Sequence, residues 1–211
     1  MQRKWWQDAI IYQVYLRSFK DSNNDGIGDF NGLTSKLEYL KDLGINAVWV
    51  SPHYDSPMDD NGYDIRDYFK VSEDYGTLED VKRFINTAHQ MDIKVIFDLV
   101  LNHTSDEHAW FKAAKDPNHL DHEKFHDYYI WQPPKYDENG KRQMPTNWRS
   151  WFGGPVWEYN DATNEYYLHI FSKKMPDLNW RNDSMKKDLK EIAQWWIDLG
   201  VDGFRVDASN H

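Results

Sequence analysis

The chain contains no cysteine, which excludes disulfide staples and thiolate chemistry, although that absence names no compartment. It has no apolar run near the roughly 18–20 residues needed to cross a bilayer, and its opening "MQRKWWQDAIIYQ" lacks the apolar core and small-residue cleavage site of a signal peptide. A cytoplasmic protein is expected. Positive charge is short as well: 25 Lys and Arg against 35 Asp and Glu leave a formal net charge of -10. Such a balance repels nucleic acid and anionic membranes, so neither is expected as a partner, and a neutral or cationic ligand fits better.

Aromatic residues, by contrast, are abundant, with 11 Trp and 13 Tyr among 211 residues. Flat apolar rings with a polar edge suit the CH-bearing faces of sugars, whose hydroxyls then need side-chain donors and acceptors. A tryptophan most often fills a core. The cluster in "NWRSWFGGPVWEYN" is too polar and too broken by Gly and Pro for all of it to be core.

Three segments repeat one scheme, a helical pattern, a stop signal and a short apolar strand: "LTSKLEYLKDLGINAVWVSP", "TLEDVKRFINTAHQMDIKVIFDLVLNH" and "SMKKDLKEIAQWWIDLGVDGFRVD". In the first, Leu33, Leu37, Leu40 and Leu43 recur at helical spacing and Gly44 sits at the C-cap. In the second, Thr77 and Asp80 form a capping-box pattern ahead of the face Val81, Phe84, Ile85 and Ala88. In the third, Asp183 or Ser184 is the expected cap, Leu189, Ile192, Trp196 and Leu199 make the stripe, and Gly200 ends it. Adding the strand pattern "AIIYQVYL" gives the order β-α-β-α-β-α-β, which predicts a parallel sheet with right-handed crossovers. Between the third strand and the third helix lie about eighty residues rich in Trp, Tyr, Pro, Gly and Asn, too many for a structureless loop. Alternation in "EYYLHIF" predicts a small β-rich subdomain there.

Polar residues gather at the strand ends, where parallel α/β folds place their ligands. One strand carries Asp98 and ends at Asn102 and His103, another carries Arg205 and Asp207, and "SPHYDSPMDDNGYD" contributes Tyr63 and Asp64. Arg205 and Asp207, two apart, share one face of a strand, and Asp98 on a neighbouring element is within reach. The bland reading of Asp207 is a buried salt-bridge partner of Arg205. Acid, base and aromatic groups around one strand-end rim are instead what sugar chemistry requires, because a carboxylate stabilises or captures an oxocarbenium-like centre.

A further pattern is "DSNNDGIGD". Asp21, Asn23, Asp25 and Asp29 bear oxygen at alternating positions, Gly26 permits the turn, and the Ile27 carbonyl could complete a cage for a hard cation. An EF-hand places Glu at loop position 12, where this chain has Gly32. A surface loop rich in Asx turns is the alternative. The remaining histidines singled out, His53, His108, His119, His122, His126 and His211, show no ligand spacing, and "NHLDHEKFH" reads as a solvated helix face or loop.

The stretches "DLVLNH", "GFRVD", "NGYD", "MPDLNW" and "WWQDAIIYQVYLRSFKDSNNDGIGDF" resemble the α-amylase family of glycoside hydrolases, in particular its α-glucosidase and oligo-1,6-glucosidase branch. The resemblance covers essentially the whole chain. It implies an α/β fold, the N-terminal half of a (β/α)8 TIM barrel with its first four strands, and a small β-rich B subdomain inserted after strand 3. The barrel parts would be residues 1–103 and 183–211, and the inserted subdomain residues 104–182. The resemblance makes Asp207 the nucleophile, Arg205 the residue that keeps it ionised, and Asp64 and His103 binders of sugar hydroxyls. Tyr63 would stack beneath the sugar, with Asp98 and Asn102 in structural support. It also implies a structural Ca2+ on Asp21, Asn23, Asp25, Ile27 and Asp29, and no organic cofactor.

The implied reaction is retaining hydrolysis of terminal α-glucosidic bonds in short oligosaccharides. Ala208, after the nucleophile, leans toward α-1,4 over α-1,6 linkages, while "MPDLN" in place of the branch's "QPDLN" leaves the exact branch open. The family's general acid/base Glu and its later His-Asp pair, assigned to the second half of the barrel, have no counterpart here. The chain is therefore expected to be a truncated part of a longer enzyme, inactive alone, that pairs with the missing half of the barrel or self-associates through exposed sheet edges. Glucosyl transfer or sucrose isomerisation shares every motif, and a non-catalytic interaction module with this fold is a further alternative.

Overall fold

Four short strands form one sheet in the computed structural model of the chain, which describes residues 3–209: β1 (Ile11–Val14), β2 (Ala47–Val50), β3 (Lys94–Val100) and β4 (Gly203–Asp207), neighbours in that order. β1 and β2 pair in parallel from Ile11 opposite Ala47 to Val14 opposite Val50, and β2 continues in parallel onto β3 from Ala47 opposite Lys94 to Val50 opposite Phe97. The apolar runs explain this placement. β3 is buried from Val95 to Val100, as a strand covered on both faces must be. β4 lies at an edge and is only half-buried, with Val206 exposed. The strand pattern "AIIYQVYL" shortens to the four residues of β1, because the chain turns directly into a helical turn at Leu16–Phe19.

The helices follow their sequence signals with two differences. The first apolar stripe splits into α1 (Phe30–Thr34) and α2 (Leu37–Asp42). Asp29 starts α1 earlier than the periodicity suggests, its Oδ1 accepting the Gly32 N–H at 2.7 Å. The hydroxyls of Thr34 and Ser35 then donate back to the carbonyls of Phe30 and Gly32, both at 2.6 Å, and break the run. Leu33, Leu37 and Leu40 are buried, but Leu43 falls beyond the end of α2 and is 52% exposed. α3 (Leu78–Gln90) begins with the capping box read in the sequence: the Asp80 N–H donates to Thr77 Oγ1 at 3.2 Å, and the Thr77 N–H to Asp80 Oδ2 at 2.8 Å. α4 (Asp183–Asp198) is capped by neither Asp183 nor Ser184. Asn182, one residue upstream, accepts the Met185 N–H at 2.9 Å.

Contacts divide the chain into two compact units. The first comprises the residues up to Asp55, Tyr68–Leu99 and Ile192–Val206. Its core closes on His53, which is fully buried among the rings of Phe30, Tyr54, Phe97 and Trp196, with centroids 4.1 to 5.4 Å away. The second comprises Ser56–Asp67, Val100–Glu191 and the residues from Asp207. It holds a three-stranded antiparallel sheet in which Glu165–Leu168 lies between Trp131–Gln132 and Trp157–Asn160, packed on Val156, Trp157, Tyr166 and Leu168. A separate hairpin joins Lys135–Tyr136 to Arg142–Gln143. The tryptophans of "NWRSWFGGPVWEYN" divide accordingly, with Trp157 buried and Trp148 and Trp151 exposed. No helix among the described residues is long and apolar enough to cross a membrane. His211 lies outside the described residues.

Candidate active site

In the second unit, the loop Ser56–Asp67 exists to hold one carboxylate. Met58, Asn61 and Gly62 take left-handed backbone conformations, at φ 65, 51 and 98, and fold the loop back on itself. Asp64 is thereby fully buried. Its Oδ1 accepts from Ser56 Oγ and the Asp60 N–H, each at 3.0 Å, and its Oδ2 accepts from the Asp59 N–H at 2.8 Å. Three donors fix the carboxylate's plane and leave lone pairs over.

His103 follows β3 by three residues and is 1% exposed. Its Nε2 lies 3.2 Å from the Tyr63 carbonyl and its Nδ1 lies 3.3 Å from Asn102 Nδ2. A carbonyl can only accept and an amide nitrogen can only donate, so these partners assign a neutral ring with its proton on Nε2. Burial agrees, lowering the His103 pKa to about 4 against a smaller upward pull from the Tyr63 carbonyl. Asn102 also donates to Asp177 Oδ1 at 3.2 Å, and the Ile170 N–H donates to the same oxygen at 3.2 Å. Burial pushes the Asp177 carboxyl up to about 7, although both hydrogen bonds oppose the rise.

Asp207 belongs to the same unit as Tyr63, Asp64, Asn102 and His103. Its charge is felt at Asp60, whose pKa is raised first by burial and then by the carboxylates of Asp64, Asp207 and Asp59. Asp59 in turn accepts from Ser172 Oγ at 2.6 Å and pairs with Lys174 at 3.6 Å. An aromatic wall stands beside His103: its ring lies 5.4 Å from Phe171, which packs edge-on against Phe152 at 5.7 Å. Phe152 and Phe171 line a hollow of about 250 Å³ together with Glu158, His169, Ser172 and Lys173.

The other two predicted residues meet in the first unit. Asp98, fully buried at the middle of β3, accepts from Arg205 Nη1 at 3.1 and 3.3 Å and from Trp49 Nε1 at 3.1 Å. The Arg205 guanidinium also lies over the Trp49 ring, 5.0 Å from its centroid. Charged side chains inside apolar strands need such partners, since an unpaired buried carboxylate costs several kcal/mol.

Residues 21–29 form a tightly wired loop in the same unit. Asp21 accepts the N–H groups of Asn23, Asn24 and Gly26 at 2.9, 2.7 and 2.8 Å, and the bond from Gly26 is the main reason that its pKa lies below the usual carboxylate range. Asp25 accepts the Ile27 N–H at 2.8 Å. Asp29 accepts from the Ser22 N–H and hydroxyl as well as capping α1. Among the described residues no three His, Asp or Glu side chains converge as a metal cluster. The donor set here mixes acids with the Asn23 amide and the Ile27 carbonyl, the all-oxygen chemistry that calcium prefers. Gly32 explains the departure from an EF-hand, because a Cβ there would lie 1.9 Å from the Lys20 carbonyl oxygen and leaves no room for Glu.

A family profile described as "Alpha amylase, catalytic domain" matches residues 13–211. The chain belongs to the α-amylase family. It is 52% identical over 213 aligned positions to the oligo-1,6-glucosidase of Parageobacillus thermoglucosidasius, spanning 100% of the chain and 36% of that protein. With the alpha-glucosidase of Candida albicans it shares 48% identity over 209 residues, 99% of the chain and 36% of the relative. The crystal structure of the isomaltulose synthase from Erwinia rhapontici NX5 matches with a TM-score of 0.90 and 48% identity, covering 98% of the chain and 36% of that one. The chain thus spans a little over a third of the length of these relatives. Its fold is the first four strands of the family's (β/α)8 barrel with the antiparallel subdomain after the third.

For this α-amylase-family chain, sequence reasoning missed several side chains that the fold places around Asp64 and His103. Asp60 was visible only as part of the acidic run "MDDNGYD", and Asp177 lay inside "MPDLNW", a motif noticed without a role for its carboxylate. Phe152 and Phe171 carry no local signal beyond their places in a Gly-broken aromatic stretch and at the end of "EYYLHIF".

Proposed function

We propose that the protein carrying this chain cleaves terminal α-glucosidic bonds of short oligosaccharides with retention of configuration. The observation that supports it most is the grouping of Asp207 with Asp64 and His103 in one unit, with Asp207 near enough to raise Asp60. In this reading Asp207 attacks the anomeric carbon and forms a covalent glycosyl-enzyme, which water then opens. Asp64 offers its remaining lone pairs to sugar hydroxyls, Tyr63 supplies an aromatic face, and His103 binds a further hydroxyl. Arg205, two positions before Asp207 on β4, keeps the nucleophile ionised, with Asp98 and Asn102 in support.

Retaining hydrolysis also needs a general acid roughly 5–5.5 Å from the nucleophile, and no residue of this chain is assigned to it. The 211 residues alone are therefore proposed to be inactive. Asp207→Asn in the complete reading frame abolishes the mass increment left by a fluorinated glucosyl fluoride while oligosaccharide still binds. Near-normal turnover in that variant removes Asp207 from the role.

Ala208 favours α-1,4 over α-1,6 bonds in this reading, whereas the Parageobacillus relative is named for the α-1,6 linkage. Comparing kcat/KM on maltose and isomaltose decides between them. The likeness to an isomaltulose synthase supports glucosyl transfer or isomerisation as a second reading, and product analysis with sucrose separates it from hydrolysis. Calcium is proposed as a structural ligand of Asp21, Asn23, Asp25, Asp29 and the Ile27 carbonyl, tested by calorimetry on chelator-treated protein. Absence of heat rejects it.

A further inference from the structure

A further hollow, lined by neither His103 nor any residue of the acidic loop, lies wholly within the second unit and has a volume of about 870 Å³ beside the antiparallel sheet. That volume is in the range of roughly 300–1,000 Å³ typical of small-molecule sites. Its inner walls are fixed. Trp131 is stacked between Phe111 and His126, with centroids 5.8 and 5.0 Å away, and its indole N–H donates to the His126 carbonyl at 2.9 Å. Trp157 donates to Thr146 Oγ1 at 2.9 Å, and His126 Nε2 meets Glu165 at 2.9 Å. These contacts occupy the buried rings and leave them as rigid supports.

Trp148 differs. Its backbone is pinned by the Val156 N–H, which donates to the Trp148 carbonyl at 3.2 Å, yet the side chain stands at the rim and the residue is 62% exposed. A second hollow of about 550 Å³ shares Lys135, Pro145, Thr146 and Trp148 with the first, so the groove runs on past the exposed indole. An elongated ligand fits such a groove better than a single ring. Its lining carries charges of both signs, Asp127 and Glu165 with Lys135 and Arg181, which disfavours a strongly anionic or cationic ligand. Gln132, Thr146 and Asn179 add neutral donors and acceptors.

We infer that this groove is a second oligosaccharide site, separate from the proposed catalytic one, in which a linear neutral sugar crosses the Trp148 indole and its hydroxyls meet the mixed charged rim. The ligand class follows from the groove's own chemistry and does not depend on Asp207.

Calorimetric titration of the chain with maltotetraose tests it. The expected result is saturable binding that Trp148→Ala weakens at least tenfold, that Trp148→Phe retains to within threefold, and that Leu43→Lys, at an exposed position in the first unit, leaves unchanged. Absence of saturable heat in the unaltered chain overturns the inference, as does equal affinity in Trp148→Ala. Loss of all binding in His103→Ala with Trp148→Ala unaffected also overturns it, because the sugar then sits at the other site. Failure of the hydrolase reading would show in turnover and glycosyl-enzyme trapping, whereas failure here shows in the titration.

Discussion

Asp98 and Asp64 are both sealed from solvent, yet the two units satisfy them by different means. Asp98 sits in a strand and is matched by side chains, the Arg205 guanidinium and the Trp49 indole. Asp64 sits in a loop and is matched chiefly by that loop's own N–H groups and one hydroxyl. A strand spends its backbone donors on the sheet, so a carboxylate there depends on long-range partners, while a looped carboxylate organises the chain around itself. The first arrangement should fail sharply when one partner is lost, and the second should fail locally.

The largest expected effect is on the first. Arg205→Met takes the guanidinium away from the buried Asp98 carboxylate and should lower stability by about 3 kcal/mol in urea unfolding of the chain. A loss below about 1 kcal/mol would mean that Asp98 is neutralised by other means. Asp64→Ala strands two N–H groups and a hydroxyl, and because the loop can open to water its cost is expected near 2 kcal/mol. Amide exchange should accelerate at Asp59 and Asp60 with little change in α3; acceleration throughout the chain would contradict a local role.

Buried histidines extend the contrast to pH. Among the described residues His53 has no hydrogen-bond partner for either ring nitrogen, and burial lowers its pKa to about 3. His103 is held by the Tyr63 carbonyl and falls less far, to about 4. From about pH 6.5 downward the unfolded chain takes up protons that these folded rings refuse, so stability is full above that pH and is lost as pH falls toward 3 to 4. His53→Phe removes one such ring and keeps the aromatic packing. Relative to the unaltered chain it should gain about 2 kcal/mol between pH 7 and pH 5, and parallel stability curves would refute the assignment of that slope to His53. The smallest effect is expected at Leu43, exposed beyond the end of α2, where Leu43→Lys should change stability by less than about 0.5 kcal/mol.

How much could be read from the sequence follows from how local each determinant is. The Thr77 and Asp80 capping box and the buried face of α3 rest on neighbours within a few positions, and periodicity reveals them, while the parallel sheet follows from the alternation of helical and strand patterns. The break between α1 and α2 was hidden because hydroxyls at Thr34 and Ser35 compete for carbonyls that a helical pattern assigns to the backbone. Asn182 was passed over as a cap because two other capping residues follow it directly. Asp177 meets Asn102 from 75 positions away, and Phe171 packs against His103 from a similar separation, so only folding brings them together. The family motifs pointed to Asp64, His103 and Asp207 but were silent on the side chains that surround them.

The close passage of Gly32 against the Lys20 carbonyl also limits what the loop ahead of α1 can become. Because even a methyl group is refused at that position, point substitution cannot supply the long acidic arm that would close a cage from its far side. Selection or engineering for a cation clamp there would have to act on Asn23 and its neighbours, or first move α1 away from Lys20.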